Sequence, residues 1–84
     1  MKELLIRLNA AIEAGNKADE AWDKDPGNKE LEREFMRTYN AEYRIREQLA
    51  AAIAERTNGA VDLRTALHMT YNPKLAEIIR RYEA

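Results

Sequence analysis

The chain has no cysteine, one histidine, two prolines and three glycines among its 84 residues. Val61 is its only valine. Each scarcity closes off something. Without cysteine there is neither a disulfide framework nor a thiolate zinc site. That composition suits a reducing compartment, and a cytoplasmic protein is expected. A metal centre needs several converging ligands, which a lone His68 does not supply. A catalytic dyad would need a nucleophile and an orienting acid placed beside that histidine by the fold. Asp62, the nearby acid, falls roughly on the far side of a short helix. Gly15, Gly27 and Gly59 are isolated, so neither a Gly-rich dinucleotide loop nor a P-loop can be built. No enzyme activity and no cofactor are expected.

Long apolar runs are also missing. MKELLIRLNAAI opens with a short one, but Arg7 and Glu13 interrupt it, so a secretory leader is not expected. No stretch approaches the roughly 18 apolar residues of a membrane span, and no membrane association is expected. Charge of one sign is absent too: the net charge is −1, from 14 basic and 15 acidic residues. A balanced chain exerts no long-range pull on nucleic acid, which is an unexpected partner here.

Hydrophobic residues make up 45% of the chain and charged residues 35%, a folded composition. The length implies a single domain over 1–84, which buries only roughly 60% of its unfolded surface. Ala, Leu, Glu, Arg and Lys dominate and strand-type alternation is absent, so the fold expected is all-α. DPGN at Asp25–Asn28 reads as a turn, with Asn28 able to cap the helix that follows. Asn58–Gly59 reads as a helix stop with Gly59 at the C′ position. Asp62 is a candidate N-cap, and Asn72–Pro73 gives an N-cap with proline at N1. Four helices follow, over about 2–24, 29–58, 63–71 and 73–83.

The first two helices register on each other. One stripe runs Met1, Leu4, Leu8, Ala11, Gly15, Ala18, Trp22. The other runs Leu31, Phe35, Thr38, Glu42, Ile45, Leu49, Ala52. A short turn makes the helices antiparallel. Trp22 then faces Leu31, Ala18 faces Phe35, Gly15 faces Thr38, Ala11 faces Glu42 and Leu8 faces Ile45. Helix 2 carries a second stripe, Met36, Tyr39, Tyr43, Arg46, Ala50 and Ile53. Leu63, Ala66, Leu67 and Tyr71 of the third helix, with Leu75, Ile78, Ile79 and Tyr82 of the fourth, are expected to fold back and cover it. The architecture expected is a long helical hairpin with two short C-terminal helices packed on helix 2.

Two groups of residues are candidates for function. Gly15, Asn16, Thr38, Tyr39 and Glu42 form a polar layer where the stripes thin out. Glu42 either snorkels to water or pairs with Arg46 one turn on, or as a buried charge fixes register or an oligomer interface, or lines a ligand pocket with its neighbours. Lys29, Arg33, Arg37 and Arg44 form a row along helix 2 that suits an acidic partner or phosphates. Glu30, Glu34 and Glu47 flank the row, as on an ordinary solvated face. Trp22 is either a plug for the turn end of the hairpin or an interface anchor.

Exclusion leaves long helix faces with aromatic and arginine residues, the usual material of protein recognition. The function expected is a small non-enzymatic protein-binding module, an adaptor or inhibitor that occupies a partner protein's surface. Such short helical chains suit bacterial or phage accessory proteins. The alternative is an oligomeric small-molecule or nucleotide sponge. A third reading sets Asp62–Tyr82 as a helix-turn-helix that binds DNA weakly, although Glu77 sits among Lys74, Arg80 and Arg81. Small side chains all round Ala50–Ala54 suggest a homodimer.

Overall fold

The computed structural model describes residues 1–83, which form four α-helices and no strand. Helix α1 spans Lys2–Lys24, α2 Lys29–Arg56, α3 Leu63–Met69 and α4 Leu75–Glu83. Asn28 starts α2 by accepting the backbone N–H groups of Glu30 and Leu31, at 3.0 and 3.4 Å. These are donors the first helical turn cannot satisfy internally. Asp62 does the same for α3 through Thr65 N–H, at 2.8 Å.

Three helix ends differ from the sequence reading. Helix α2 stops at Arg56 because Thr57 is its cap, not a helical residue. Asn58, with φ of 53°, takes the left-handed C′ position expected of Gly59. Asn58 N–H then bonds Glu55 O and Gly59 N–H bonds Ala54 O, at 3.1 and 2.9 Å, closing the helix with a Schellman motif. Helix α3 ends at Met69 and not at Tyr71, since Thr70 turns its hydroxyl back onto Leu67 O. Helix α4 begins at Leu75, not at Pro73, because the Asn72 side chain takes the Lys74 N–H in a turn.

Helices α1 and α2 pack side by side as an antiparallel hairpin. At about 1.5 Å per residue α2 is roughly 42 Å long, and the molecule measures 46 × 19 × 17 Å. Its two core clusters lie toward the end where α1 begins, and Ala18 is the one buried apolar residue of the turn half among the described residues. Leu8, Ile45, Leu49, Leu75 and Ile79 form one buried cluster, with Leu4, Leu5 and Ile12 against it. Ala50, Ile53 and Ala66 form a second, closed by Val61, Leu67, Met69 and Tyr82. Helix α3 runs back along α2, and α4 returns over the α1–α2 groove. Arg56 donates to Tyr82 O at 3.0 Å, and the Met1 amine pairs with Glu83 at 3.4 Å.

The small-residue stretch Ala50–Ala54 is therefore covered within the chain. Ala50 and Ile53 are buried, Ala52 and Ala54 half-buried, and only Ala51 is exposed. The reason for expecting a homodimer disappears with that cover.

The second stripe of α2 is only half covered, contrary to expectation. Arg46, Ala50 and Ile53 are buried, but Met36, Tyr39 and Tyr43 stay 47%, 54% and 39% exposed. The cause is length: α3 and α4 have 7 and 9 residues, roughly 10 and 14 Å of axis. The chain reverses at Thr70–Lys74, beside Arg46, and never reaches the turn half of the hairpin. Within the covering pair, Leu63 and Tyr71 are also exposed, while Ala66, Leu75 and Ile79 carry the packing.

Candidate interaction surface

The edge of the C-terminal cover is organised by Arg46. Its side chain is buried, in a hollow lined by Leu8 and Ile12 of α1 and by the turn from Thr70 to Pro73. Its Nε donates to Glu42 Oε2 at 3.0 Å, one terminal nitrogen donates to Thr70 O, and the guanidinium lies over the Tyr71 ring. A planar fork can meet a carboxylate, a carbonyl and an aromatic face together, which a lysine cannot do. Of the readings open for Glu42, the structure shows the pair with Arg46, on a carboxylate whose side chain is 23% exposed.

Beyond this edge the groove between α1 and α2 continues, open, toward the turn. The five residues of the expected polar layer do come together there: Gly15 and Asn16 on α1, Thr38, Tyr39 and Glu42 on α2. Asp19 and Phe35 complete the lining. Phe35 belongs by spacing to the apolar stripe of α2, and Asp19 lies outside both candidate groups. Its spacing of three from Asn16 puts the two on one helix face, a signal that was present but carries no chemistry by itself.

The groove holds about 260 Å³, below the roughly 300–1,000 Å³ of small-molecule sites. Its two half-buried polar side chains, Thr38 and Glu42, are already paired. The Thr38 hydroxyl donates to Phe35 O at 2.7 Å, Glu42 has Arg46, and among the described residues no buried side-chain nitrogen or oxygen lacks a partner. A Cβ placed on Gly15 would meet the nearest atom, Thr38 Oγ1, at 3.8 Å, an ordinary contact. The bare middle of α1 therefore reflects spare room, not close helix approach.

At the turn, Trp22 is half-buried with its ring 5.4 Å from that of Phe35, and its Nε1 donates to Pro26 O at 3.3 Å. Tyr39 follows at 6.5 Å from Phe35. Trp22 thus closes the hairpin by stacking on Phe35, one helical turn beyond Leu31. The three rings form a continuous series leading from the turn onto the exposed strip.

The basic row occupies another face. Lys29, Arg33, Arg37 and Arg44 are exposed on the side of α2 turned away from α1. They border an open depression with Met36, Asn40 and Ala41. Every residue lining it belongs to α2, so it has no opposing wall that would enclose a ligand. Arg37 is engaged with Glu34. His68 is exposed at the end of α3. In the pair α3–α4, Leu75 and Ile79 of α4 face the core and Ala76, Glu77, Arg80 and Arg81 face outward, so an acid stands among the cations any phosphate would meet. No helix of the described residues is long and apolar enough to cross a membrane. Comparison with protein-family models, with curated proteins and with solved structures gave no significant match.

Proposed function

We propose that the chain is a small protein-binding module that works through the turn half of its hairpin, an adaptor or inhibitor occupying a partner's surface. The observation that carries this reading is the uncovered strip of Met36, Tyr39 and Tyr43 on α2. These side chains continue the stripe that α3 and α4 bury lower down. They are large, partly apolar and tyrosine-rich, the kind of residue that anchors protein interfaces. The half of the molecule that holds the fold together and the half that exposes the strip are separate along the long axis. A partner can therefore engage one without unpicking the other. Absence of cysteine is in keeping with a cytoplasmic site of action.

The test is a paired capture experiment from the native host, with the wild-type chain and the Tyr39→Ala/Tyr43→Ala double variant as baits. A partner retained by the first and lost by the second is the expected result. Retention by both baits would rule the strip out. The sponge alternative makes a different prediction: a ligand present at a hundred times its Kd raises stability by about 2.7 kcal/mol. Melting the protein with a nucleotide and metabolite panel would reveal such a rise.

A further inference from the structure

From the open groove we infer that the partner element is a cationic amphipathic helix, lying between α1 and α2 in line with α4. This deepens the reading of the turn half as a recognition surface and rests on it. Three observations lead to it.

First, the chain already demonstrates what its inter-helix groove accepts. Helix α4 sits there in the lower half, inserting Leu75 and Ile79 against Leu8, Ile45 and Leu49. The same groove runs on past the Thr70–Lys74 turn with nothing in it, for roughly three helical turns of α2 between Glu42 and Leu31. A helix laid into a groove between two others is a recurrent mode of recognition.

Second, the open part has an apolar wall and an acidic lip. Phe35 and Tyr39 stand on α2. Both charged residues lining the groove, Asp19 and Glu42, are acidic, and Arg46 already engages Glu42. Asp23, exposed four residues beyond Asp19, extends the lip on the same face. Over residues 13–25 the chain has five acids, Glu13, Asp19, Glu20, Asp23 and Asp25, against two cations, Lys17 and Lys24. Lys17 and Lys24 share a face turned away from the groove with Glu13 and Glu20, one helical turn before them, and Lys17 pairs with Glu13 at 3.5 Å, which leaves Asp19 and Asp23 as the charges beside the groove on α1. Unpaired acid beside an apolar wall matches a helix with an apolar stripe and flanking lysine or arginine.

Third, the same charges disfavour a second copy. A two-fold face-to-face pair would bring Asp19 and Asp23 of each hairpin over the acidic groove of the other. Like charges so placed oppose association.

The experiment titrates the full chain with three synthetic peptides of about 15 residues, a length at which isolated helices begin to form. One is a Leu/Lys helix with leucines at i, i+3, i+4 and i+7. The second has every lysine replaced by glutamate. The third is the Leu/Lys composition scrambled out of helical phase. Trp22 fluorescence reports binding, and amide NMR shifts locate it. The expected result is saturable binding of the first peptide alone, with shifts at Asn16, Asp19, Thr38 and Tyr39. Asp19→Lys/Asp23→Lys should weaken it roughly tenfold, whereas Arg37→Glu, which makes the far face of α2 more acidic, should not weaken it. Both variants alter exposed side chains, and circular dichroism confirms that each is folded. Equal binding of the glutamate peptide, no binding of any peptide, or shifts confined to the Arg33–Arg44 face would overturn the assignment. So would a dimer in light scattering that buries Tyr39. If the peptides fail while the capture experiment still loses its partner on Tyr39→Ala/Tyr43→Ala, the helix assignment falls and the recognition surface stands. If the capture is unaffected by that variant, both fall.

Discussion

The guanidinium of Arg46 lies 4.0 Å from the centre of the Tyr71 ring, across the gap between α2 and the turn that follows α3. The contact joins residues far apart in sequence at the boundary between the covered and uncovered halves of the hairpin. Arg46 also bonds Glu42 and the Thr70 carbonyl, so one side chain fastens the start of the α4 return to the central helix.

Removing that fastening should loosen the cover before the hairpin. Arg46→Ala leaves the Thr70 carbonyl and the Glu42 carboxylate without their donor, and a loss of about 2–3 kcal/mol is expected. Arg46→Lys should recover only part of it, since an ammonium cannot form the same fork. Urea denaturation gives the totals. Hydrogen exchange should show α3 and α4 amides opening first; uniform acceleration along the whole chain would contradict the arrangement.

Gly15→Ala should stabilise the protein. The new methyl meets Thr38 Oγ1 at 3.8 Å without a clash, and alanine is better than glycine inside a helix by about 0.8–1 kcal/mol. A thermal melt reads the change, and a lowered Tm would mean that the helices approach more closely at this point.

Trp22 carries the turn end of the hairpin. Truncating a fully buried aromatic costs about 3–5 kcal/mol; Trp22 is half-buried, so Trp22→Ala should cost about 2 kcal/mol. Phe35→Leu should shift the Trp22 emission with a smaller loss, because the two rings stack. A Trp22→Ala variant as stable as the parent in chemical denaturation would remove the plug.

Asp62 should titrate below the ordinary 3.8, chiefly because its carboxylate accepts the Thr65 N–H, helped by the Thr65 hydroxyl and the nearby Arg64 charge. A depressed carboxylate binds protons less readily when folded. Its contribution to stability is therefore complete above 3.8 and disappears as pH falls through the lower folded value. Side-chain NMR titration measures the midpoint directly. Asp62→Asn keeps a capping oxygen and should flatten this part of the acid dependence; a midpoint at or above 3.8 would exclude the cap as the cause.

Tyr39→Ala/Tyr43→Ala should leave stability nearly intact, since Tyr39 is 54% and Tyr43 39% exposed. A change within about 1 kcal/mol is expected from truncating such surface residues. A collapse in Tm would show that the strip supports the fold, and would remove it as a free surface.

Much of this molecule was legible in its residues because the relevant physics is local. Stripe spacing, the DPGN turn and the Asn28 and Asp62 caps depend on neighbours within a few positions, and all appear where expected. The pairing of the first two helices was legible as well, because a short turn leaves two matched stripes one register. The polar layer followed from that register, so Gly15, Asn16, Thr38, Tyr39 and Glu42 do share a groove. Helix ends shifted by one or two residues where a side chain competed for a backbone group, as Thr70 and Asn72 do.

What periodicity could not decide was how far the cover reaches. Tyr39 and Tyr43 read as stripe residues like Ala50 and Ile53, yet two are exposed and two buried. The difference lies in where α3 and α4 end, and in the Arg46–Tyr71–Thr70 contacts that set their return point. Those contacts join positions distant in sequence, so no local pattern records them. Helix identity, capping and hairpin register belong to the sequence by itself, because each is a short-range preference. Which part of α2 is core and which is open groove belongs to the tertiary structure, because burial is a property of what arrives from elsewhere in the chain.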